Sequence, residues 1–284
     1  MPRPLLALLL APLPSLALVP AAAPGAPQSD AAPAAVAPRE WLVLPPVDER
    51  GRRPFRPDAV LARYVLDPAS PPPRAGETVE GESGEAAWEA RAMDGEGRLG
   101  GRIGYAYAAV PSAAERVVLA RLAGASTLLV GGVPYAGDVY GYGGEGVPIR
   151  LAAGTNHVLV TGVREAFSPS FSVPEGPLVV GEWDATIPDL VAGEGGPGPL
   201  VLDIGLLVQN ASLARLADLR IEAEGAAIEL DPAPALRRLA PLQVRKLPVR
   251  LRLDPARIPP GPGEIEVPGG IRAGGRTARA PASC

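Results

Sequence analysis

Apolar residues along this chain recur in short runs of four to eight, broken every few residues by Gly, Pro, Asp or Asn, and many runs alternate apolar with polar. A period of two with turn residues at regular spacing predicts β-strands rather than helices. The runs predict strands at Trp41–Leu44, Gly104–Val110, Arg116–Leu122, Thr127–Val130, Val147–Leu151 and His157–Gly162. Further strands are expected at Leu178–Val180, Leu200–Val208, Leu219–Ala223, Ala227–Leu230, Val244–Leu251 and Glu264–Val267. Only Asp58–Val65 and Ser212–Ala217 carry a helical pattern, and the second serves equally well as a turn between strands. In Gly104–Val110, Tyr105 and Tyr107 fall on one face and Ala106 and Ala108 on the other, so the small face admits close approach of an opposing sheet. Strands in such density predict an all-β chain of stacked sheets.

The N-terminal pattern is different. Arg3 precedes an apolar stretch, Leu5 to Val19, interrupted by Pro12 and Pro14 and followed by Val19-Pro20-Ala21. That layout reads as a secretory signal peptide over residues 1–21, too short and Pro-broken for a membrane span. Residues 22–39, almost wholly Ala, Pro, Gly, Ser and Gln, read as an extended linker. A secreted or periplasmic location and no membrane span after cleavage follow as expectations. Ser168 to Pro174 reads as loop and Ala192 to Pro199 as a second Gly/Pro break, so a boundary is expected across Pro174–Asp189, giving domains at 40–175 and 176–284.

Composition narrows the chemistry. The 284 residues contain one His and one Cys, too few for a Cys/His metal site or an intrachain disulfide. Cys284 is left as a free thiol or an intermolecular partner. A formal charge of −4 leaves no basic face for nucleic acid. His157, the only histidine, falls on an alternating strand and reads as a surface or sheet-edge residue with no nucleophile to serve. Gly81-Glu-Ser83-Gly-Glu85 lacks the spacing of a nucleophile elbow. Glu182, Asp184 and Asp189 read as loop carboxylates in the interdomain break rather than a glycosidase pair. No catalytic residue, metal ligand or cofactor is expected. One cluster stands out: Tyr135, Asp138, Tyr140 and Tyr142 lie within a Gly-rich loop, where aromatic faces and a carboxylate would suit a sugar, or merely cover a sheet edge.

Two stretches also resemble known modules. Gly104-Tyr-Ala-Tyr-Ala-Ala-Val110, Pro111 to Arg116, Val117 to Leu122, Thr127-Leu-Leu-Val-Gly-Gly132, Pro134-Tyr-Ala-Gly-Asp138 and Leu151-Ala-Ala-Gly-Thr-Asn156-His-Val-Leu-Val, with Trp88 upstream, look like the galactose-binding-like jelly-roll modules of secreted bacterial hydrolases. They are similar in particular to the N-terminal regions of planctomycete-type secreted prolyl-oligopeptidase (α/β-hydrolase) proteins, which usually have Asn-Gly where Gly131-Gly132 stands here. Leu200 to Val208, Gln209-Asn210-Ala-Ser212, Leu216 to Ile221 and Leu239 to Leu251 have the rhythm of bacterial Ig-like sandwich modules. The resemblance implies a jelly-roll sandwich followed by an Ig-like sandwich, acting as a non-catalytic accessory module that shields or docks a secreted hydrolase or peptidase. A stand-alone carbohydrate-binding protein is the alternative, so the expected partner is a hydrolase domain or a glycan. Asn210-Ala-Ser212 is formally a glycosylation sequon, discounted in a bacterial setting.

Overall fold

The computed structural model describes residues 5–6, 38, 40–47, 58–67, 70–141, 143, 146–186, 190–191, 200–223, 228–230, 236–253, 269–273 and 276–280. Two compact units are present: residues 35–174 with 211–213, and residues 1–34, 175–210 and 214–284. Both are built from antiparallel strands, and the expectation of an all-β chain holds. The chain opens with a two-residue strand, β1 (Leu5–Leu6), which pairs with a short strand of the second unit described below.

In the first unit the strands are β2 (Glu40–Leu44), β3 (Thr78–Gly81), β4 (Gly84–Ala87), β5 (Glu89–Ala92), β6 (Leu99–Gly100), β7 (Tyr105–Ser112), β8 (Arg116–Val130), β9 (Val133–Ala136), β10 (Val147–Leu151) and β11 (Gly154–Ser172). One helix, α1 (Ala59–Tyr64), lies between β2 and β3. The pairing order β10-β8-β11-β7-β2-β5 hides a division of labour within the two long strands. The second half of β8 pairs with β9 and with the first half of β11, which continues through β7 and β2 to β5. Its first half pairs instead with β10 and with the far end of β11, where Phe171 faces Ala120 and Pro169 faces Leu122. Two strands predicted as separate, Arg116–Leu122 and Thr127–Val130, are therefore one, bent at Gly124, whose φ of +85° no β-branched residue would adopt. Ser168–Pro174, expected to be a loop, supplies the end of β11 as far as Ser172. Period-two alternation fails because the inward-facing positions change parity at Gly162, whose φ is +70°: Val158 and Val160 face the core before it, and Val163, Phe167 and Phe171 after it.

Burial follows the alternation in β7. Ala106, Ala108 and Val110 face a core containing Trp41, Leu99, Ile103, Leu128, Ile149, Val160, Phe167 and Phe171. Trp41 and Phe167 meet edge to face at 5.5 Å, a geometry that adds about 1 kcal/mol beyond the area buried. Tyr105 and Tyr107 face the other way, into a second cluster with Leu44, Val60, Trp88, Leu129 and Leu159. Helix α1 and the β3–β4 hairpin cover that side; the hairpin turns through Glu82 and Ser83, between the paired Gly81 and Gly84. Asp58 caps the helix by accepting the Leu61 N–H at 2.9 Å and also accepts the Tyr105 hydroxyl. The helical pattern of Asp58–Val65 corresponds to α1, with Asp58 and Val65 as its two caps.

The second unit contains β12 (Leu178–Thr186), β13 (Leu190–Val191), β14 (Leu200–Asn210), β15 (Leu216–Ala223), β16 (Ile228–Leu230), β17 (Leu236–Leu239), β18 (Val244–Leu253), β19 (Gly269–Ala273) and β20 (Arg276–Ala280); β13 is the partner of β1. Two four-stranded sheets, β12-β14-β18-β16 and β17-β15-β19-β20, pack through Leu178, Val208 and Leu247 of one and Leu219 and Leu239 of the other. In β18 Leu247, Val249 and Leu251 are buried while Val244, Lys246, Arg250 and Arg252 are exposed, the half-wet strand that the alternation predicts. Ser212–Ala217 is a bend entering β15, the turn alternative rather than a helix. Glu182 and Asp184 lie in β12 and not in a loop, because the strand runs past Val180 to Thr186. Asp189 and Glu264–Val267 lie outside the described residues.

Candidate functional site: the loop after β9

The predicted cluster follows the β8–β9 hairpin, whose turn is Gly131-Gly132 with φ of +56° and +82°. Both glycines adopt the left-handed conformation that a two-residue hairpin requires. Strand β9 then delivers Tyr135, half-buried against the main core, and the chain turns out at Gly137. A side chain at Gly137 would collide with the Ala125 carbonyl, so the loop leaves the sheet in close contact with the bend of β8.

Asp138 is 4% exposed. Its carboxylate accepts backbone N–H groups from Gly124 (3.0 Å), Gly141 (2.7 Å) and Gly143 (3.0 Å). A buried carboxylate is tolerable because these donors replace water. The Asp138 side chain is thus committed to backbone N–H groups of the loop and of the β8 bend and cannot serve as the acceptor for a ligand hydroxyl that the sequence suggested. Its physical role is to fasten the loop to the β8 bend.

A second fastener comes from β11. The register shift between Val163 and Ser168 places Arg164 beside the loop, where its guanidinium donates to the carbonyl oxygens of Val139 (2.6 Å) and Tyr140 (3.1 Å). The guanidinium also occupies the space a Cβ on Gly141 would need. Bulges commonly re-aim a side chain in this way next to a functional site. Arg164 makes no ion pair among the described residues.

Held between Asp138 and Arg164, the tip projects two large side chains: Val139 is 52% exposed and Tyr140 79%. No other aromatic residue among those described is as exposed. Of the four residues singled out, the structure therefore places Tyr135 in the core margin, Asp138 in the loop's interior and Tyr140 at its tip, while Tyr142 lies outside the described residues. Arg164, absent from the sequence-derived set, is the addition. It stands 24 residues from Tyr140, and no local pattern links positions so far apart.

No model of a known protein family matches this chain, and no curated protein matches it.

Elsewhere, His157 is exposed on β11, its Nδ1 2.7 Å from the Tyr107 hydroxyl, with the two rings stacked at 6.0 Å. Burial pushes the Tyr107 hydroxyl above the ordinary tyrosine range, so it stays protonated at neutral pH and can donate to the imidazole. Ser83 sits in the β3–β4 turn, where its N–H donates to Val47 O at 2.7 Å, and is remote in kind from a strand-to-helix elbow. No grouping of three or more His, Cys, Asp or Glu among the described residues is arranged to hold a metal ion. No helix among them is long and apolar enough to cross a membrane.

Proposed function

We infer that this protein is an exported, non-catalytic binding module of a secreted hydrolase system, in which it docks or positions a catalytic partner of the peptidase type. The first unit is read as a galactose-binding-like jelly roll and the second as an Ig-like sandwich. Supporting this, the segments that carry the first resemblance fall mainly in β7, β8, β9 and β11, which pair within one sheet. The observation that carries the binding role is the tip: Val139 and Tyr140 are presented to solvent on a loop secured from below by a buried carboxylate and a guanidinium. Presenting a tyrosine in a fixed conformation lowers the ordering cost of a contact, which is how rigid aromatic anchors act in binding surfaces.

The test has two readouts. Purified full-length chain should leave peptide and ester substrates intact; turnover that His157→Ala abolishes would overturn the non-catalytic reading. The chain should also co-elute with a secreted hydrolase from the same cells, and Tyr140→Ala should abolish co-elution without changing the melting temperature. Export predicts a mature N-terminus close to Ala22, readable by intact-mass measurement. A stand-alone carbohydrate-binding role is the second reading, favoured by the exposure of Tyr140.

A further inference from the structure

We propose that the Tyr140 tip takes an acidic sugar residue, a uronate within a polysaccharide, with one ring face on Tyr140 and the carboxylate on Arg164. The inference rests on the first unit being a binding module and names the chemistry it recognises. A carboxylate acceptor in the loop would have suited neutral sugar hydroxyls. Asp138 is closed to that use, since its two oxygens already accept three backbone N–H groups, two from the loop and one from the β8 bend. The charge available beside Tyr140 is positive instead. A guanidinium carries five N–H donors, and Arg164 directs only part of this fork at the carbonyl oxygens of Val139 and Tyr140. It is exposed and has no carboxylate partner among the described residues. A planar cation with spare donors, held at the backbone of an exposed tyrosine, matches a ligand that pairs an apolar ring face with a carboxylate at its rim.

One pyranose needs a single aromatic face, which Tyr140 supplies, whereas a protein docking over the tip draws the rest of its roughly 800 Å² from the surface around it. The Asp138 and Arg164 contacts hold the tip before any ligand arrives, so little ordering is required on binding.

Affinity electrophoresis of the full chain in native gels tests this, with polygalacturonate as the acidic probe and its fully methyl-esterified form as the neutral control. Polygalacturonate should retard the protein, with at least tenfold weaker retardation by the ester. Tyr140→Ala should lose at least tenfold, and Tyr140→Phe should retain binding, since stacking needs no hydroxyl. Arg164→Gln keeps a donor for the loop carbonyls but removes the charge, and should erase the preference for the acid form. Retardation by neither polymer, equal retardation by both, or an undiminished shift in Tyr140→Ala overturns the proposal. If those outcomes appear while Tyr140-dependent co-elution with a hydrolase persists, only the sugar assignment fails; if co-elution is also absent, the binding-module reading fails with it.

Discussion

The Asp138 carboxylate accepts the Gly124 N–H at 3.0 Å, joining the loop after β9 to the point where β8 bends. Replacing Asp138 by Ala removes the acceptor for three backbone donors in a buried setting. Each buried donor left without a partner costs about 1–3 kcal/mol, so the first unit should lose about 3 kcal/mol even with some rehydration. Urea denaturation measures this. A variant as stable as wild type would return Asp138 to the status of a free ligand-binding carboxylate.

Gly162 and Gly124 should resist substitution for a steric reason. Both have positive φ, +70° and +85°, and an added Cβ would strike the Ser126 side chain in one case and the Ala166 carbonyl in the other. Gly124→Ala meets rigid backbone and should cost more than about 2 kcal/mol. Gly162→Ala meets a side chain that can rotate and should cost less. The order of the two denaturation midpoints is the check, and the reverse order would contradict the contact geometry.

Leu242 offers the opposite opportunity. It has φ of +59° in the turn between β17 and β18, closed by the Gln243 N–H on the Ala240 carbonyl at 3.2 Å. Left-handed conformation costs an ordinary residue about 1 kcal/mol, and Asn tolerates it better. Leu242→Asn should therefore raise the stability of the second unit by up to about 1 kcal/mol, less whatever packing the half-buried Leu provides. A lower thermal midpoint in the variant would show that packing, and not backbone conformation, governs this turn.

Two aspartates give a pH dependence of defined sign. The Arg98 backbone N–H holds the Asp94 carboxyl below the usual Asp range, and the Arg250 side chain does the same for Asp203. Each is thus more readily ionised in the folded chain than in the unfolded one. The stabilisation is complete above the ordinary carboxyl range and disappears as pH falls through the lowered folded values. Both groups are solvent-exposed, so the effects are small. In thermal melts, Asp203→Asn should fall slightly below wild type at pH 7 and converge with it at pH 2; a gap of equal size at both would exclude this linkage.

Asn210 makes the sequon a structural motif. Its side-chain amide is fully buried and donates to the carbonyl oxygens of Ala214 (2.7 Å), Leu239 (3.2 Å) and Ala240 (2.8 Å). Expressed through a glycosylating secretory host, the folded protein should keep Asn210 unmodified, as peptide mass mapping would reveal. Asn210→Ala should cost about 2 kcal/mol by orphaning buried carbonyls.

The strands of β7, β10, β14 and β18 were legible because each has a buried and a wet side, or a short apolar run between turns. Helix α1 was legible from Asp58 and the spacing of Val60. The extension of β11 was hidden because the inward-facing positions change parity at Gly162, from Val158 and Val160 to Val163, Phe167 and Phe171. The weakly apolar β3–β4 hairpin was missed as well, since charged residues such as Glu80 and Glu85 occupy its paired positions. At the site, Tyr140 was readable as an exposed aromatic in a Gly-rich loop. The inversion of its electrostatics was not: whether Asp138 faces outward, and whether a distant arginine joins it, depends on folding of β8 and β11 around the loop.

Because β8 and β11 each pair with different partners at their two ends, the two halves of the eight-stranded sheet share covalent backbone as well as a core. Neither half can peel away as a separate cooperative block. Amides at the Arg116 end and the Val130 end of β8 should exchange with deuterium at a common rate set by global opening. The same arrangement delays assembly, because Leu119 must find Ser172 across more than fifty intervening residues before the corner can close. A slowly formed corner that then opens only all at once gives kinetic persistence, a useful property for a protein expected to work outside the cell, beyond the reach of cytosolic chaperones.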